Sequence, residues 1–424
     1  MSIAGRILIG LAAALLLAAS WAGAAEAALR EVPQGEPVQA ALDDAAPGDV
    51  VRLLAGDHEG PVSIDRPLVL EGAPGAVLLG NGSGSVVSVR AADVTVRGLT
   101  VRGSGDALHE MDSGIFVDRD AHRAQIEGNR LEGNLFGIYL WGPQDAVVRG
   151  NVIEGRQVRQ VSETGSGVAI WSSPGSRVVD NEIRFGADGI FVKTSERNVF
   201  DGNRMRDLRF AIHYMYTNDS RVTNNVSIGN DIGYAIMFSH RLEVSGNLSE
   251  QDREHGFMFN YANYSTVENN IVRLGGEKCV FIYNANFNEF RRNRFEGCGI
   301  GIHFTAGSES NEISENAFVG NESQVKYVGT RFIDWSSEGR GNFWSDNPAF
   351  DVDGDGIADA AYRPNDIIDQ VLWTNPSAKI LVTSPAVQVI RWAQAQFPAV
   401  QPGGVVDSAP LMAPPDISIP ASAP

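Results

Sequence analysis

The sequence predicts an all-β protein whose body is a right-handed parallel β-helix of about 22–23 residues per coil, with an N-terminal cap and a non-repetitive C-terminal extension. The first observation behind this is a repeated asparagine before a hydrophobic-x-x pattern, at Asn129, Asn151, Asn181, Asn203, Asn225, Asn247, Asn270, Asn293 and Asn316. The successive spacings are 22, 30, 22, 22, 22, 23, 23 and 23. The second is a small residue followed by alternating apolars, as in Gly114-Ile-Phe-Val, Gly189-Ile-Phe-Val, Ala235-Ile-Met-Phe and Gly301-Ile-His-Phe. The third is a short strand just before each Asn, such as Arg177-Val-Val. Three short strands per turn, with Gly and Asn corners and no helical periodicity, describe a solenoid of the pectin-lyase-like kind.

Each segment has its own reading. Residues 1–27 look like an export signal, with Arg6 in the n-region, apolar Ile7 to Ala19 and small residues up to Ala27, after which we place cleavage. An uncleaved anchor is the alternative, and the run is short for a membrane span of about 20 residues. Residues 28–60 form the N-terminal cap, with a short helix over 37–46 sealing the first coil. Residues 61–325 carry the repeats. Alternation turns the first and third residues after each Gly marker inward, so that they stack on neighbouring coils as a continuous core. The asparagines read as a corner ladder, hydrogen-bonded coil to coil, and not as catalytic groups. The eight-residue excess behind the one long spacing predicts a projecting loop at Arg156 to Ser166. Residues 326–384 form a C-terminal cap. Residues 385–424 combine an amphipathic helix over 385–397 with an extended Pro-rich tail, and we expect Pro385 to Met412 to dock on a membrane partner.

Charge narrows the partners. Lys and Arg number 34 against 52 Asp and Glu, a formal net charge of −18. Nucleic-acid affinity comes largely from basic side chains displacing counterions, so a nucleic-acid partner is excluded and a polyanionic glycan is disfavoured. Two cysteines, Cys279 and Cys298, are too few for a Cys₄ metal site. Their separation in sequence falls three or four short of the period, so a disulfide between them requires the corner to fold back.

Two constellations suit metals. Asp351, Asp353, Asp355 and Asp359 stand at positions 1, 3, 5 and 9 of a Gly-containing turn, and oxygen ligands at that spacing suit Ca²⁺ or Mg²⁺. Seven Asp and one Arg between residues 346 and 369 give 1 − 7 = −6 locally, which a cation would relieve. A solvated acidic loop is the competing reading. The outward-facing second residue after each marker gives a column Phe116, Tyr139, Ala169, Phe191, His213, Met237, Met258, Phe281, His303, with Met215 two residues beyond His213. Thioethers and imidazoles on nearby coils are Cu(I) ligand types, so His213, Met215, Met237, Met258 and His303 are the candidate donors of a transient site. The same stripe also reads as an apolar surface for a partner.

An exported carbohydrate-active enzyme of the alginate epimerase or polyuronate lyase type is the alternative function. Such chemistry needs an acid and base set beside basic groups, and the outward column offers neither carboxylate nor Arg. Asp252-Arg-Glu-His-Gly256 has only a faint likeness to an epimerase segment. No catalytic constellation emerges, and a non-catalytic protein is expected.

The segments outside the repeat carry a family resemblance. Gly341-Asn-Phe-Trp-Ser-Asp346, the Asp351 to Asp359 run, Leu372-Trp373, Ser384 to Ala393, Gln396-Phe-Pro and Gly404 to Met412 resemble the NosD family of periplasmic β-helix proteins, as does essentially the whole chain. The resemblance implies a part in maturing the copper and copper–sulfide centres of nitrous-oxide reductase. It implies as partners the permease and ATPase subunits of an ABC transporter, a copper-chaperone lipoprotein and the apo-reductase, with attachment to the membrane only through the permease.

Overall fold

The computed structural model describes residues 27–157, 163–305, 307–329, 331–365, 367–381, 384–396 and 403–417. The export signal lies outside them apart from Ala27, as does the centre of the loop at Arg156 to Ser166. Among the described residues, three parallel sheets of thirteen, twelve and thirteen strands wind into a right-handed β-helix. The first sheet runs from Leu29–Val32 to Glu312–Ser314, the second from Val62–Ile64 to Ser323–Val328, and the third from Gly56–Glu59 to Phe343–Trp344. Coils therefore extend to both sides of residues 61–325.

Register follows the period. Ile190 pairs with Ile212 and Phe200 with Val222, each partner one period further along the chain. At the long spacing Tyr139 still pairs with Ala169, so the stack keeps its register across the insertion. Thr95 pairs with Gln125 across an equally long offset, and that excess holds the 3-10 turn Leu108–Glu110.

Two corner features explain the sequence markers. The residue before each ladder asparagine from Asn129 to Asn316 takes left-handed backbone, as at Gly128, Gly150, Asp180, Gly202 and Asn224, where Gly, Asn and Asp are the best tolerated types. The asparagines are buried, and each donates from Nδ2 to the Oδ1 of the next, from Asn129 to Asn342 at 2.9–3.1 Å. Each backbone N–H donates to the same Oδ1, as Asn225 does to Asn247. The glycine marker reflects close stacking: a Cβ at Gly233 would sit 2.5 Å from the Gly256 carbonyl oxygen.

The core is aliphatic in the early coils and aromatic in the later ones, where Phe200, Phe257, Phe259, Phe290, Phe304 and Phe318 are fully buried. Open ends would expose bare edges, and both are sealed. At the first coils the helix Val38–Asp43 buries Val38 and Leu42, and Gln39 bonds the Ser63 backbone in both directions. At the last, Trp335 and Trp344 stack over Phe318, the latter at 4.4 Å and 7°.

The C-terminal tail differs from the expectation. Val405–Val406 pairs in parallel with Ile333–Asp334, and Leu411 bridges to Phe343 and Ile357. Val405, Asp407 and Leu411 are buried. Asp407 accepts from the Asn342 N–H at 2.7 Å and from Trp344 Nε1 at 2.7 Å, supplying the acceptor that a further coil would have provided to the last ladder asparagine. Ile417 then packs on Val226, Leu248 and Ile271, outward-facing apolar residues of the third sheet. Residues 404–417 are thus part of the cap and the rod surface, while the helix Pro385–Gln396 keeps exposed apolar groups. Val389 and Trp392 are each 63% exposed there, whereas Val387 is buried.

Cys279 and Cys298 form a disulfide, Cα to Cα 5.6 Å. Cys298 sits in the corner after Glu296, three residues before Gly301, which overlies the Cys279 position in the stack. Changing both cysteines to Ala should lower stability by about 3 kcal/mol on the chain-entropy argument for a loop of this length. Denaturant titration of the oxidised parent against the double variant measures it, and coincident midpoints would remove the bond from the stability account.

Candidate metal centre

The outer face of the second sheet carries the candidate donors. The strands Asp188–Glu196, Phe210–Asn218, Ile232–Met237 and His255–Asn260 lie side by side in parallel register. His213 pairs with Phe191 on one side and Ala235 on the other, and Ala235 with Met258. Met258 continues to Phe281 and His303.

The expected column is therefore corrected at one place. Ala235, not Met237, stands between His213 and Met258, because the stacked small residue of that coil is Gly233 and the marker at Ala235 is two residues late. Met237 belongs to the neighbouring outward column, in direct register with Met215. That column runs Trp171, Lys193, Met215, Met237, Asn260, Tyr283.

The displacement leaves Met215 and Met237 as one direct pair of candidate donors and puts Met258 two coils from His213. Met215 and Met237 face each other across about 4.8 Å, and His213 lies two residues from Met215 on the same strand. Met258 is the register partner of Ala235, and Met237 stands two residues beyond Ala235 on that strand. His303 stands apart, two coils beyond Met258 with Phe281 between them. Its ring lies 4.9 Å from that of Phe281, and burial together with Lys326 and Lys278 lowers its pKa to about 4, leaving it a neutral imidazole at neutral pH. His255 is likewise pushed down, chiefly by burial, and lies 5.6 Å from Phe281 on the other side.

Sequence reasoning passed over two residues. Asp188, 3% exposed in its side chain, stands 3.0 Å from His213 Nδ1. Arg209 donates to both Asp188 oxygens at 2.9 Å. No repeat interval marks the pair: Asp188 precedes His213 by one period plus three, which places the two diagonally on adjacent coils.

An aromatic ridge borders the donors. Tyr216, Phe238 and Tyr261 follow directly on Met215, Met237 and Asn260, and stack at 5.0 and 5.2 Å. All three hold left-handed backbone, at φ +49°, +49° and +52°, a conformation that costs a bulky residue about 1–3 kcal/mol. Tyr216 and Tyr261 remain nearly half exposed, so burial of these rings does not offset that cost.

At the acidic turn, carboxylate oxygens of Asp351, Asp353 and Asp355 lie within 4.8 Å of one another. Asp351 is held below the usual carboxylate range, first by the Gly356 amide. Asp359 is not among the converging groups; it accepts from the Val352 N–H at 2.8 Å. Asp252, part of the faint epimerase likeness, is fully buried and bonded to Ser227, Ser249 and the Asn230 N–H, out of reach of any polysaccharide.

Comparison with known proteins adds the lineage. The sequence model described as "Periplasmic copper-binding protein (NosD)" matches residues 149–349. A protein of Stutzerimonas stutzeri named "Probable ABC transporter binding protein NosD" is 41% identical over 375 residues, covering 85% of this chain and 86% of its own. A Pseudomonas aeruginosa protein of the same name is 40% identical over 422 residues, covering 96% and 97%. The chain belongs to the NosD family. NosD proteins are described as periplasmic and copper-binding, and no helix among the described residues here is long and apolar enough to cross a membrane. Solved structures share the fold at low identity. The catalytic domain of a GH87 α-1,3-glucanase superposes with TM-score 0.56 at 10% identity, over 75% of this chain and 69% of that one. The Dettilon tailspike protein gives 0.53 at 16%, over 67% and 62%.

Proposed function

We propose that this NosD protein is a non-catalytic periplasmic assembly factor that holds Cu(I) in transit to the copper and copper–sulfide centres of nitrous-oxide reductase. The observation that carries the reading is the cluster of His213, Met215, Met237 and Met258 around the small Ala235, in a chain of a copper-binding family. Three or four soft neutral donors at an outer face hold Cu(I) without a saturating thiolate cage, which suits a site that must release its ion. His303, with its neutral imidazole two coils away, is a further station along the same face. The aromatic ridge beside Met215 and Met237 is the contact surface for the copper-chaperone lipoprotein or the apo-reductase, and the exposed apolar side of the helix Pro385–Gln396 contacts the permease of the ABC transporter, whose ATPase subunit drives the cycle.

Replacing Met215 and Met237 with Leu preserves apolar bulk and removes the sulfur donors. The double variant should lose Cu(I) affinity by at least tenfold in competition with a chromophoric chelator, while still binding its partners. Parental affinity and full reductase maturation under limiting copper would leave the stripe as a docking surface alone.

We further propose Ca²⁺, or Mg²⁺, at Asp351, Asp353 and Asp355, with Asp359 fixing the turn instead of ligating. The turn is bonded to the tail through the Ala358 N–H to the Pro410 carbonyl, so an ion there would stiffen the cap. At a hundredfold excess over Kd it would add about 2.7 kcal/mol. Chelation that leaves the melting temperature unchanged would sink this proposal.

A further inference from the structure

We propose that Asp188 is a positioning residue for His213: it fixes the imidazole as the Nδ1–H tautomer and so presents Nε2 as the free lone pair. This rests on the copper reading for its purpose, but the geometry stands by itself. A carboxylate has no proton to give, so the 3.0 Å contact makes Nδ1 the donor, and a neutral imidazole with its proton on Nδ1 has an acceptor only at Nε2. Arg209 supplies the countercharge through two bonds to Asp188 and is itself seated on the Phe210 ring at 4.6 Å. Phe191 and Phe210 flank the imidazole with ring centroids 5.1 and 4.8 Å away, which restrains its rotation. Carboxylate, imidazole and open nitrogen in series is the arrangement by which outer groups orient a ligating histidine and raise its basicity. The donors grouped with His213 are thioethers, which have no tautomer to fix, so this control falls on the one imidazole of the cluster.

Long-range ¹H–¹⁵N spectra of the metal-free full-length protein test the tautomer. The parent should show His213 protonated at Nδ1, and Asp188→Ala should move it toward the Nε2–H form. Cu(I) affinity, read by competition with a chromophoric chelator, should fall roughly 10–100-fold in Asp188→Ala. No further fall is expected when Asp188→Ala is added to His213→Ala. Asp188→Asn, which keeps an acceptor but sheds the charge that Arg209 needs, should fall between, and it serves if the alanine variant does not fold. An unchanged His213 tautomer in both variants, or the same affinity loss from Asp188→Ala with and without His213, would overturn the inference. Parental affinity in His213→Ala would instead remove the copper reading, and the tautomer spectra would still decide the role of Asp188.

Discussion

Asp407→Ala is expected to open the C-terminal cap, with a loss of about 2–6 kcal/mol confined to the last coils. The side chain is fully buried, and three backbone or ring donors converge on it: the Asn342 N–H, Trp344 Nε1 and the Ala409 N–H. Truncation strands two of these donors in the interior, each at a cost of about 1–3 kcal/mol, and releases the third. Burial pushes the carboxyl above the ordinary range, so the donors are what make its presence tolerable. Because each coil of a solenoid contacts only its neighbours, the damage should stay local. Amide exchange at residues 333–345 should accelerate strongly, with protection at residues 199–270 retained, and emission from Trp335 and Trp344 should shift as their stack loosens. Removing residues 403–424 should do the same and more, since it also uncovers Trp335 and the apolar stripe under Ile417. Exchange rates at Asn342 and Trp344 that match the parent would show that the tail merely rests on the rod.

Asp252→Asn is expected to stabilise the protein at neutral pH by on the order of 3 kcal/mol. Asp252 lies inside the coils, and desolvation pushes its pKa up to about 6 despite hydrogen bonds from Ser249, Ser227 and the Asn230 N–H. An unfolded-state value near 3.9 puts the difference at about two units, and each unit is worth about 1.4 kcal/mol. The sign follows from proton binding: the folded chain holds this proton more tightly, so stability is highest below about pH 4. It declines as pH rises to about 6 and stays at the lower level above that. Asn keeps the acceptor for the Asn230 N–H and can donate to a serine hydroxyl where the carboxylate must be protonated to do so. It also restores the residue type of that corner, where Asn230 bonds the Leu208 N–H and Asn321 the Cys298 N–H. Denaturant midpoints at pH 7.5 and pH 4 should show a gain at the first and little difference at the second. A loss at both would mean that the charge is stabilised by groups beyond these partners.

The candidate site was legible in part. His213, Met215, Met237 and Met258 stood out by residue type and outward alternation. Their grouping did not, because a slip of two residues preserves the alternation of inside and outside. Nothing in the pattern at Ala235-Ile-Met-Phe reveals such a slip; the near contact of Gly233 with the Gly256 carbonyl does. Asp188 escaped because a diagonal neighbour is one period plus three residues away, an interval that no repeat motif displays.

What the sequence by itself determined is everything that recurs: the coil length, the parallel stack, the inward columns and the asparagine ladder. Each coil buries its residues against copies of itself, so one period encodes the local contacts of all. What only the tertiary structure decided is everything that occurs once. The ladder needs a final acceptor, the last coil a cover and the apolar stripe at Val226, Leu248 and Ile271 a lid, and the aperiodic tail supplies all three. A segment without a period carries no internal sign of its partner, since that partner is set by which donors the terminal coil leaves unpaired. The disulfide and the Asp188–His213 contact belong with it, because both join residues whose separation departs from the period by three or four.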